Sequence, residues 1–135
     1  LQTLQAVVLL EKLKIFEEEL ALRQKVVARY LEGLDPRISP QAVQADSQGA
    51  WALYTIKLKA RDEVARHLKD RGVPTGVYYP RPLHIQAPYR DFPVAPGGLP
   101  VTDQLKDLVL SLPMHPYLTE RQTSYITSRL REALS

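Results

Sequence analysis

The stretch WALYTIKLKARDEVARHLKDRGVPTGVYY, Trp51 to Tyr79, decides the fold class of this chain. Its first nine residues, Trp51 to Lys59, alternate with the period of two that is typical of a β-strand. One face of this predicted strand is apolar throughout, and we expect it to be buried. That face carries Ala52, Tyr54, Ile56 and Leu58.

A helix is predicted directly after this strand, over RDEVARHLKDRG. Asp62 is the expected N-cap, and Gly72 is the expected stop, since glycine readily takes the left-handed conformation. Pro74 enforces the break, and Thr75 to Tyr79 is the next predicted strand. Strand, helix and strand in such a short span form a compact βαβ-like unit. We therefore expect an α/β fold, a small sheet of three or four strands with helices on one side.

The sequence before this unit predicts helix over Leu1 to Leu34. The apolar spacing changes phase around Ile15–Phe16, which indicates two helices or one kinked helix. Gly33 and Pro36 end the pattern, and a short strand is possible near Ala42–Gln44. The chain begins inside a helical pattern with no capping residue, so we expect it to be a piece of something longer.

The sequence after this unit contains a proline-rich loop and further helices. The loop, Pro80 to Val101, carries six prolines and is too irregular for a simple connection. Thr102 is the expected cap of a following helix, and Leu108–Leu112 either ends that helix or forms a short core strand. Thr119 and Gln122 have the spacing of a capping box, which predicts the start of the terminal helix.

Composition excludes several classes of function. The 135 residues suit one domain, and 44% apolar residues allow a real core. The net charge of +3 is small and its basic residues are scattered, so we expect no nucleic-acid partner. No apolar run approaches the roughly 18–20 residues of a membrane span, so we expect no membrane partner. The absence of cysteine excludes thiolate chemistry and fits a reducing compartment.

Spacing alone supplies no catalytic constellation and no set of metal ligands. His67 is interpreted as a solvent-facing residue, and His115 as a residue that hydrogen-bonds a loop carbonyl. His84 follows a strand end and a stiff Pro–Arg–Pro segment. Such a position either aims the side chain outward for binding or uses the histidine to pin the loop.

Three segments carry a resemblance to a known family. TLQAVVLLEKLKIFEEELALRQKVVARYLEGL, GVPTGVYYPRPLHIQAPY and LVLSLPMHPYLTERQTSYI occur in this order and cover nearly the whole chain. Together they resemble the C-terminal portion of the sugar aminotransferases of the DegT/DnrJ/EryC1/StrS family. The variety that they resemble most acts on UDP-linked 3-keto sugar acids in bacterial polysaccharide and lipopolysaccharide assembly.

The resemblance implies a fold-type I enzyme that depends on pyridoxal phosphate. A large domain would hold the cofactor, and a small C-terminal α/β domain would cover the site. Glutamate would donate the amino group, the acceptor would be a keto carbon of a UDP-linked sugar, and the enzyme would be a cytoplasmic homodimer. The cofactor performs the difficult chemistry in such enzymes, and the protein orients it.

The chain departs from the family in lacking the Schiff-base lysine, which lies upstream of Leu1 in the family pattern. Lys12, Lys14 and Lys25 are interpreted as surface charges on a helix. The chain alone should therefore not transaminate, and we expect no catalytic or cofactor-binding residue in it. Residues 1–34 would link to and pack on the missing large domain, and residues 35–135 would form the small domain.

The resemblance places the substrate contacts of the chain in YPRPLHIQ. His84 is the first candidate, with Ile85 beside it, followed by Gln86 and Tyr79. Arg81 has only its charge to suggest a phosphate ligand, and we interpret it as solvent-exposed. A different class remains open, a non-catalytic module for dimer contacts or sugar-nucleotide binding. A basic nucleic-acid-binding domain would be a third possibility that rests only on the pI.

Overall fold

A three-stranded antiparallel sheet lies within residues 3–135, which the computed structural model describes. Its strands, in spatial order, are β1 (Ser39–Pro40), β2 (Tyr54–Lys57) and β3 (Val109–Leu112), and Tyr54 is opposite Leu112. The sheet and its flanking helices confirm the expected α/β class. The elements are α1 (Thr3–Lys14), α2 (Phe16–Gly33), β1 (Ser39–Pro40), β2 (Tyr54–Lys57), α3 (Arg61–Asp70), a 3-10 helix (Leu83–Ile85), α4 (Pro100–Leu105), β3 (Val109–Leu112) and α5 (Glu120–Ala133).

Three residues of the predicted apolar face form the centre of the core. Tyr54 and Ile56 are completely buried, and Leu58 is nearly so. The expectation for Ala52 is wrong: it is exposed because β2 begins only at Tyr54, and Trp51 is buried instead. The Tyr54 ring stacks on Tyr30 of α2, with centroids 4.9 Å apart and planes at 15°. Burial of such large rings contributes several kcal/mol at about 25 cal/mol per Å² of apolar area. The core therefore joins the sheet to α2, and α5 packs beside α2.

Helix α3 confirms the predicted helix but corrects its cap. The N-cap is Ala60, in the left-handed conformation at φ 54°, and no side chain caps the helix. Asp62 lies inside the first turn, where it pairs with Arg61. A carboxylate there still interacts favourably with the helix dipole. Gly72 ends the helix at φ 73°, as predicted.

The strand predicted over Thr75 to Tyr79 is wrong. Only Gly76 pairs with the sheet, through two hydrogen bonds with Ser111 of 3.0 and 2.7 Å. Proline has no N–H to donate, and Pro74 and Pro80 flank the segment, so the ladder cannot extend. Strand β3 pairs antiparallel with both β2 and Gly76, so it lies between them. The βαβ-like unit is therefore split by β3 rather than formed from adjacent strands.

Two other predictions of local structure also change. The strand possible near Ala42–Gln44 is absent from the described structure, and β1 forms slightly earlier, with Pro40 opposite Ile56. Thr102 lies inside α4, because α4 begins at Pro100, a residue that suits the first helical position.

The remaining predictions near the C-terminus are confirmed. The segment Leu108–Leu112 forms the core strand β3 rather than the end of a helix. The capping box of Thr119 and Gln122 is complete at the start of α5, with both reciprocal hydrogen bonds present. This box fixes where the chain enters its last helix.

The N-terminal pattern forms two helices, α1 and α2, which meet at Ile15. Residues 1 and 2 of the predicted helix lie outside the described residues. No residue of α1 is buried, and Lys12, Lys14 and Lys25 are exposed as predicted. Within residues 3–135, no helix has both the length and the apolar character needed to cross a bilayer. The exposed large apolar residues of α1 are Leu4, Val7, Val8, Leu9, Leu10 and Leu13.

Candidate functional site

The loop YPRPLHIQ is rigid because it is hydrogen-bonded to itself. Its 3-10 helix closes with Ile85 N donating to Pro82 O at 3.2 Å and Gln86 N donating to Leu83 O at 3.0 Å. Gln86 Nε2 also donates to Arg81 O at 2.8 Å. Proline restricts the backbone further at Pro82, which is buried. These bonds therefore fix the backbone of the loop before any ligand arrives.

A cavity of about 680 Å³ lies between this loop and the elements α4 and β3. Two of the four predicted site residues, Tyr79 and Gln86, line it, and Tyr79 is 76% exposed. The volume lies within the range of about 300–1,000 Å³ that is usual for small-molecule sites. The lining residues are Tyr78, Tyr79, Arg81, Pro82, Leu83, Gln86, Thr102, Leu105, Lys106 and Val109.

The charge lining this cavity is positive. Arg81 and Lys106 contribute cations, and none of the described lining residues is acidic. Arg81 is exposed, as predicted, and belongs to none of the ion pairs within residues 3–135. Lys106 Nζ lies 4.0 Å from Asp103 Oδ1, at the outer limit of an ion pair. The cavity therefore suits an anionic ligand.

His84 and Ile85 lie apart from this cavity. The imidazole of His84 is mostly buried, and its Nε2 atom lies 3.0 Å from Asp103 Oδ1 in α4. His84 thus pins the loop, and it lines a smaller cavity of about 350 Å³ with Tyr89 and Phe92. Ile85 is 46% exposed and lines neither cavity. The structure thus does not gather the four predicted residues in one cavity.

The other two histidines differ from their sequence interpretations. His67 is half-buried, and its Nε2 atom has no hydrogen-bond partner among the described residues, so it does not simply face solvent. His115 Nδ1 accepts a hydrogen bond from Tyr117 N at 3.2 Å, so its partner is an N–H rather than a carbonyl. Neither histidine lines the cavity beside the loop.

A wider cavity of about 910 Å³ lies elsewhere, between α5 and the segment after α3. None of the predicted site residues lines it. Its polar lining includes His115, Arg121 and Gln122, at the start of α5. Tyr79, Gln86 and the cations Arg81 and Lys106 line the cavity of about 680 Å³ beside the loop, which is therefore the candidate site.

The described residues do not fit a pyridoxal-phosphate site. Such a site needs an enclosed lysine that faces the cofactor carbonyl. Lys106 is the one described lysine that is half-buried, and its nearest acidic neighbour is Asp103. No cluster of three or more metal-ligating side chains occurs in residues 3–135. The exposed lysines are Lys12, Lys14, Lys25, Lys57, Lys59 and Lys69.

The sequence analysis missed three residues near the candidate site. Tyr78 was placed in a strand, where alternation would have put it on the opposite face from Tyr79. Asp103 belongs to α4 and Lys106 directly follows it, and only the folded chain brings them to the loop. No local pattern links these two residues to the loop, so a single sequence carries no signal for them.

Comparison with known proteins gives consistent results. The model of the DegT/DnrJ/EryC1/StrS aminotransferase family matches residues 1–131. The chain is 44% identical over 131 residues to the UDP-2-acetamido-2-deoxy-3-oxo-D-glucuronate aminotransferase of Pseudomonas aeruginosa. It is 37% identical over 107 residues to the UDP-N-acetyl-3-dehydro-alpha-D-glucosamine 3-aminotransferase of Acidithiobacillus ferrooxidans.

A solved structure shares the fold along nearly the whole chain. It is a DegT DnrJ EryC1 StrS aminotransferase from Brucella abortus, with a TM-score of 0.94 and 43% identity. The alignments cover 96%, 79% and 98% of this chain for the three proteins in turn. The same alignments cover 36%, 28% and 35% of the three relatives. The chain thus spans about a third of the length of the proteins that it matches.

Proposed function

This chain belongs to the DegT/DnrJ/EryC1/StrS aminotransferase family, and we propose that it forms the C-terminal part of an enzyme that aminates a UDP-linked keto sugar. The family consists of sugar aminotransferases that depend on pyridoxal phosphate, a cofactor that is bound elsewhere than in these residues. The observation that carries the proposal is the 44% identity to an enzyme named for a UDP-linked 3-oxo sugar. A second relative is also named for a UDP-linked 3-keto sugar.

The proposed domain arrangement places residues 1–34 against a large domain and residues 35–135 in a small C-terminal domain. Helix α1 supports this arrangement because none of its residues is buried and its apolar side chains are exposed. The core residues of α2, such as Tyr30, instead pack within the small domain. Apolar faces of this size are rarely left open to water.

The proposed substrate contacts lie on the rigid loop. Tyr79 and Gln86 face the cavity, where a phenol and an amide can each hydrogen-bond sugar hydroxyls. His84 lines the cavity of about 350 Å³ instead, and Ile85 is 46% exposed and lines neither cavity. Their proposed role requires the sugar to extend as far as His84 and Ile85. The His84 nitrogen that does not contact Asp103 could then hydrogen-bond the sugar. A loop that is already ordered lowers the entropic cost of binding.

Several finer features of the proposal come from the family resemblance. Glutamate would donate the amino group, and the acceptor would be carbon C3 of the sugar. The enzyme would act as a homodimer in the cytoplasm, and its product would enter polysaccharide or lipopolysaccharide synthesis. The absence of cysteine fits a reducing compartment.

The chain alone would be inactive under this proposal, because its described lysines do not form a Schiff-base site. The exposed apolar side chains of α1 favour an alternative of another class. In that alternative, the chain is a non-catalytic module for dimer contacts or sugar-nucleotide binding. The two proposals differ in whether a parent protein with a cofactor domain transaminates.

The test is an absorption spectrum of the full-length parent with pyridoxal phosphate, before and after the addition of glutamate. The aminotransferase proposal predicts an internal-aldimine band that glutamate replaces with the band of the pyridoxamine form. Addition of a UDP-linked 3-keto sugar should then restore the first band. Absence of the aldimine band would instead favour the non-catalytic module.

A further inference from the structure

We infer that the cavity of about 680 Å³ beside the loop is the subsite for the diphosphate of the sugar nucleotide, held by Arg81 and Lys106. This inference rests on the proposed function, because a nucleotide-linked sugar is its ligand. The two charged ligands belong to different elements, because Arg81 lies in the loop and Lys106 in the region after α4. The tyrosines at the same cavity complete the subsite.

The two cations are available to an external anion. Arg81 belongs to no ion pair within the described residues, and its own carbonyl is occupied by Gln86 Nε2 at 2.8 Å. That bond fixes the backbone from which the guanidinium projects. Asp103, the carboxylate nearest to Lys106, is 4.0 Å from Lys106 but 3.0 Å from His84. Lys106 is thus only weakly neutralised by its neighbour.

The position of Asp103 prevents its carboxylate from neutralising the positive charge of the cavity. Its Oδ1 atom faces the His84 imidazole on the far side of the loop. Asp103 is absent from the lining of the cavity, while Lys106 is part of it. A diphosphate in the cavity would meet two cations and no lining carboxylate. Charge-assisted bonds of this type are roughly twice as strong as neutral ones.

The walls of the cavity suit the rest of a nucleotide. Tyr78 and Tyr79 are 52% and 76% exposed, with ring centroids 6.2 Å apart in an edge-to-face arrangement. An exposed tyrosine ring such as that of Tyr78 offers a face on which a base can stack. Leu83, Leu105 and Val109 supply apolar walls.

A diphosphate fits this cavity better than the carboxylate of a sugar acid. The two relatives are named for UDP-linked sugars, but only one of those sugars is a uronic acid. A pair of cations on separate elements also matches a ligand with two linked phosphates better than a single carboxylate. A diphosphate and a sugar carboxylate both present anionic oxygens to the cavity, so an experiment must distinguish the two ligands.

The test is calorimetric titration of the full-length parent with UDP, which has the diphosphate but no sugar. Arg81→Gln and Lys106→Gln should each weaken UDP binding about tenfold, as expected for loss of one charge-assisted bond. Arg66→Gln and Lys69→Gln on the exposed face of α3 are the matched controls, and UDP affinity should stay unchanged in both. Lys106→Arg should retain most of the affinity, and thermal melting checks that every variant is folded.

The outcomes separate this inference from the proposed function. UDP affinity that is equal in wild type and both cavity variants overturns the diphosphate subsite, even if the parent still aminates a UDP-linked keto sugar. Binding of free glucuronate that Arg81→Gln abolishes, while the UDP affinity of that variant stays unchanged, also overturns it and assigns the cavity to a carboxylate. A parent that shows the expected UDP losses but never transaminates supports the subsite and removes the aminotransferase function.

Discussion

His84 Nε2 lies 3.0 Å from Asp103 Oδ1, so the proline-rich loop is fixed to α4 by one bond between residues 19 positions apart. Helix α4 also carries Thr102 and Leu105 of the cavity lining. The bond therefore sets the spacing between the two walls of the candidate site. The bond uses one nitrogen of the imidazole, Nε2.

Replacement of His84 by alanine should weaken sugar binding in the full-length parent. We expect the KM for the UDP-linked keto sugar to rise about tenfold, because both the loop bond and the contact from the second nitrogen are lost. The glutamate half-reaction should stay nearly intact, and stopped-flow spectra of the two half-reactions measure this. Equal losses in both half-reactions would contradict a role on the substrate side.

Replacement of Asp103 by asparagine tests the positioning role by itself. The amide can still contact His84, but the charge is lost, so we expect about a threefold to tenfold rise in KM for the sugar. Asp107→Asn is the matched control, since Asp107 is exposed and lies a few residues further along the chain. If the two variants behave alike, the His84–Asp103 bond does not position the site.

Replacement of Tyr54 by phenylalanine should stabilise the chain. The Tyr54 hydroxyl is buried and has no hydrogen-bond partner among the described residues, an arrangement that costs about 1–3 kcal/mol. Tyr30→Phe is the contrasting variant, because the Tyr30 hydroxyl donates to Pro113 O at 2.7 Å. Urea denaturation should show a higher unfolding free energy for the first variant and a lower one for the second. The reverse order would show that the Tyr54 hydroxyl is satisfied in solution.

Acid should remove the stabilisation that comes from Asp35. Two guanidinium hydrogen bonds from Arg37, of 2.8 and 2.9 Å, lower the pKa of Asp35 from 3.8 to about 2. Because the pKa is lower in the folded chain, the stabilisation is complete above about pH 4 and is lost as the pH falls to about 2. Asp35→Asn should therefore be less stable than wild type near neutrality, and the gap should close in acid.

The measurement for Asp35 is a series of urea denaturations from about pH 5 to about pH 2. Asp70→Asn is the control, because Asp70 is exposed at the end of α3. A gap between wild type and Asp35→Asn that stays constant over this range would mean that the Arg37 contact does not hold in solution.

The 135-residue chain on its own should self-associate through α1. Its apolar side chains are 51–77% exposed, and an open apolar face of this kind favours association. The double variant Leu9→Gln, Leu13→Gln should shift the chain toward monomer in sizing chromatography. Phe92→Ser is the control, since Phe92 is 66% exposed but lies on the proline-rich loop. A wild-type chain that elutes as a monomer at all concentrations would contradict this prediction.

Local patterns predicted the elements whose burial is decided within one segment. The alternation around Tyr54 and Ile56 predicted the buried face of β2, and Thr119 with Gln122 predicted the start of α5. These features depend on periodicity or on a cap within four residues. Both predictions are confirmed because the folded chain buries the same face of β2 and uses the same cap of α5.

Features that depend on a distant partner were beyond the sequence. The residues Thr75 to Tyr79 alternate like a strand, but Ser111 meets them only at Gly76. The sequence predicted Tyr79 and Gln86 of the cavity, because both belong to the loop. It did not predict Lys106, which approaches the cavity from another element. The spacing of residues along the chain does not show which distant residues lie close together in space. A single sequence also gives no covariation between positions from which such contacts could be inferred.

The long sequence separations of the contacts in the core decide when it can form during synthesis. Bonds from α2 and the turn after it join residues 83, 89 and 97 positions apart, through Tyr30, Arg29 and Arg37. A ribosome makes the chain from its amino end, so α2 emerges long before any of these partners. Tyr54 can cover Tyr30 early, but the partners of Arg29 and Arg37 follow only near the end of the 135 residues. The core can therefore close only once α5 has been made, because contacts between distant residues form last.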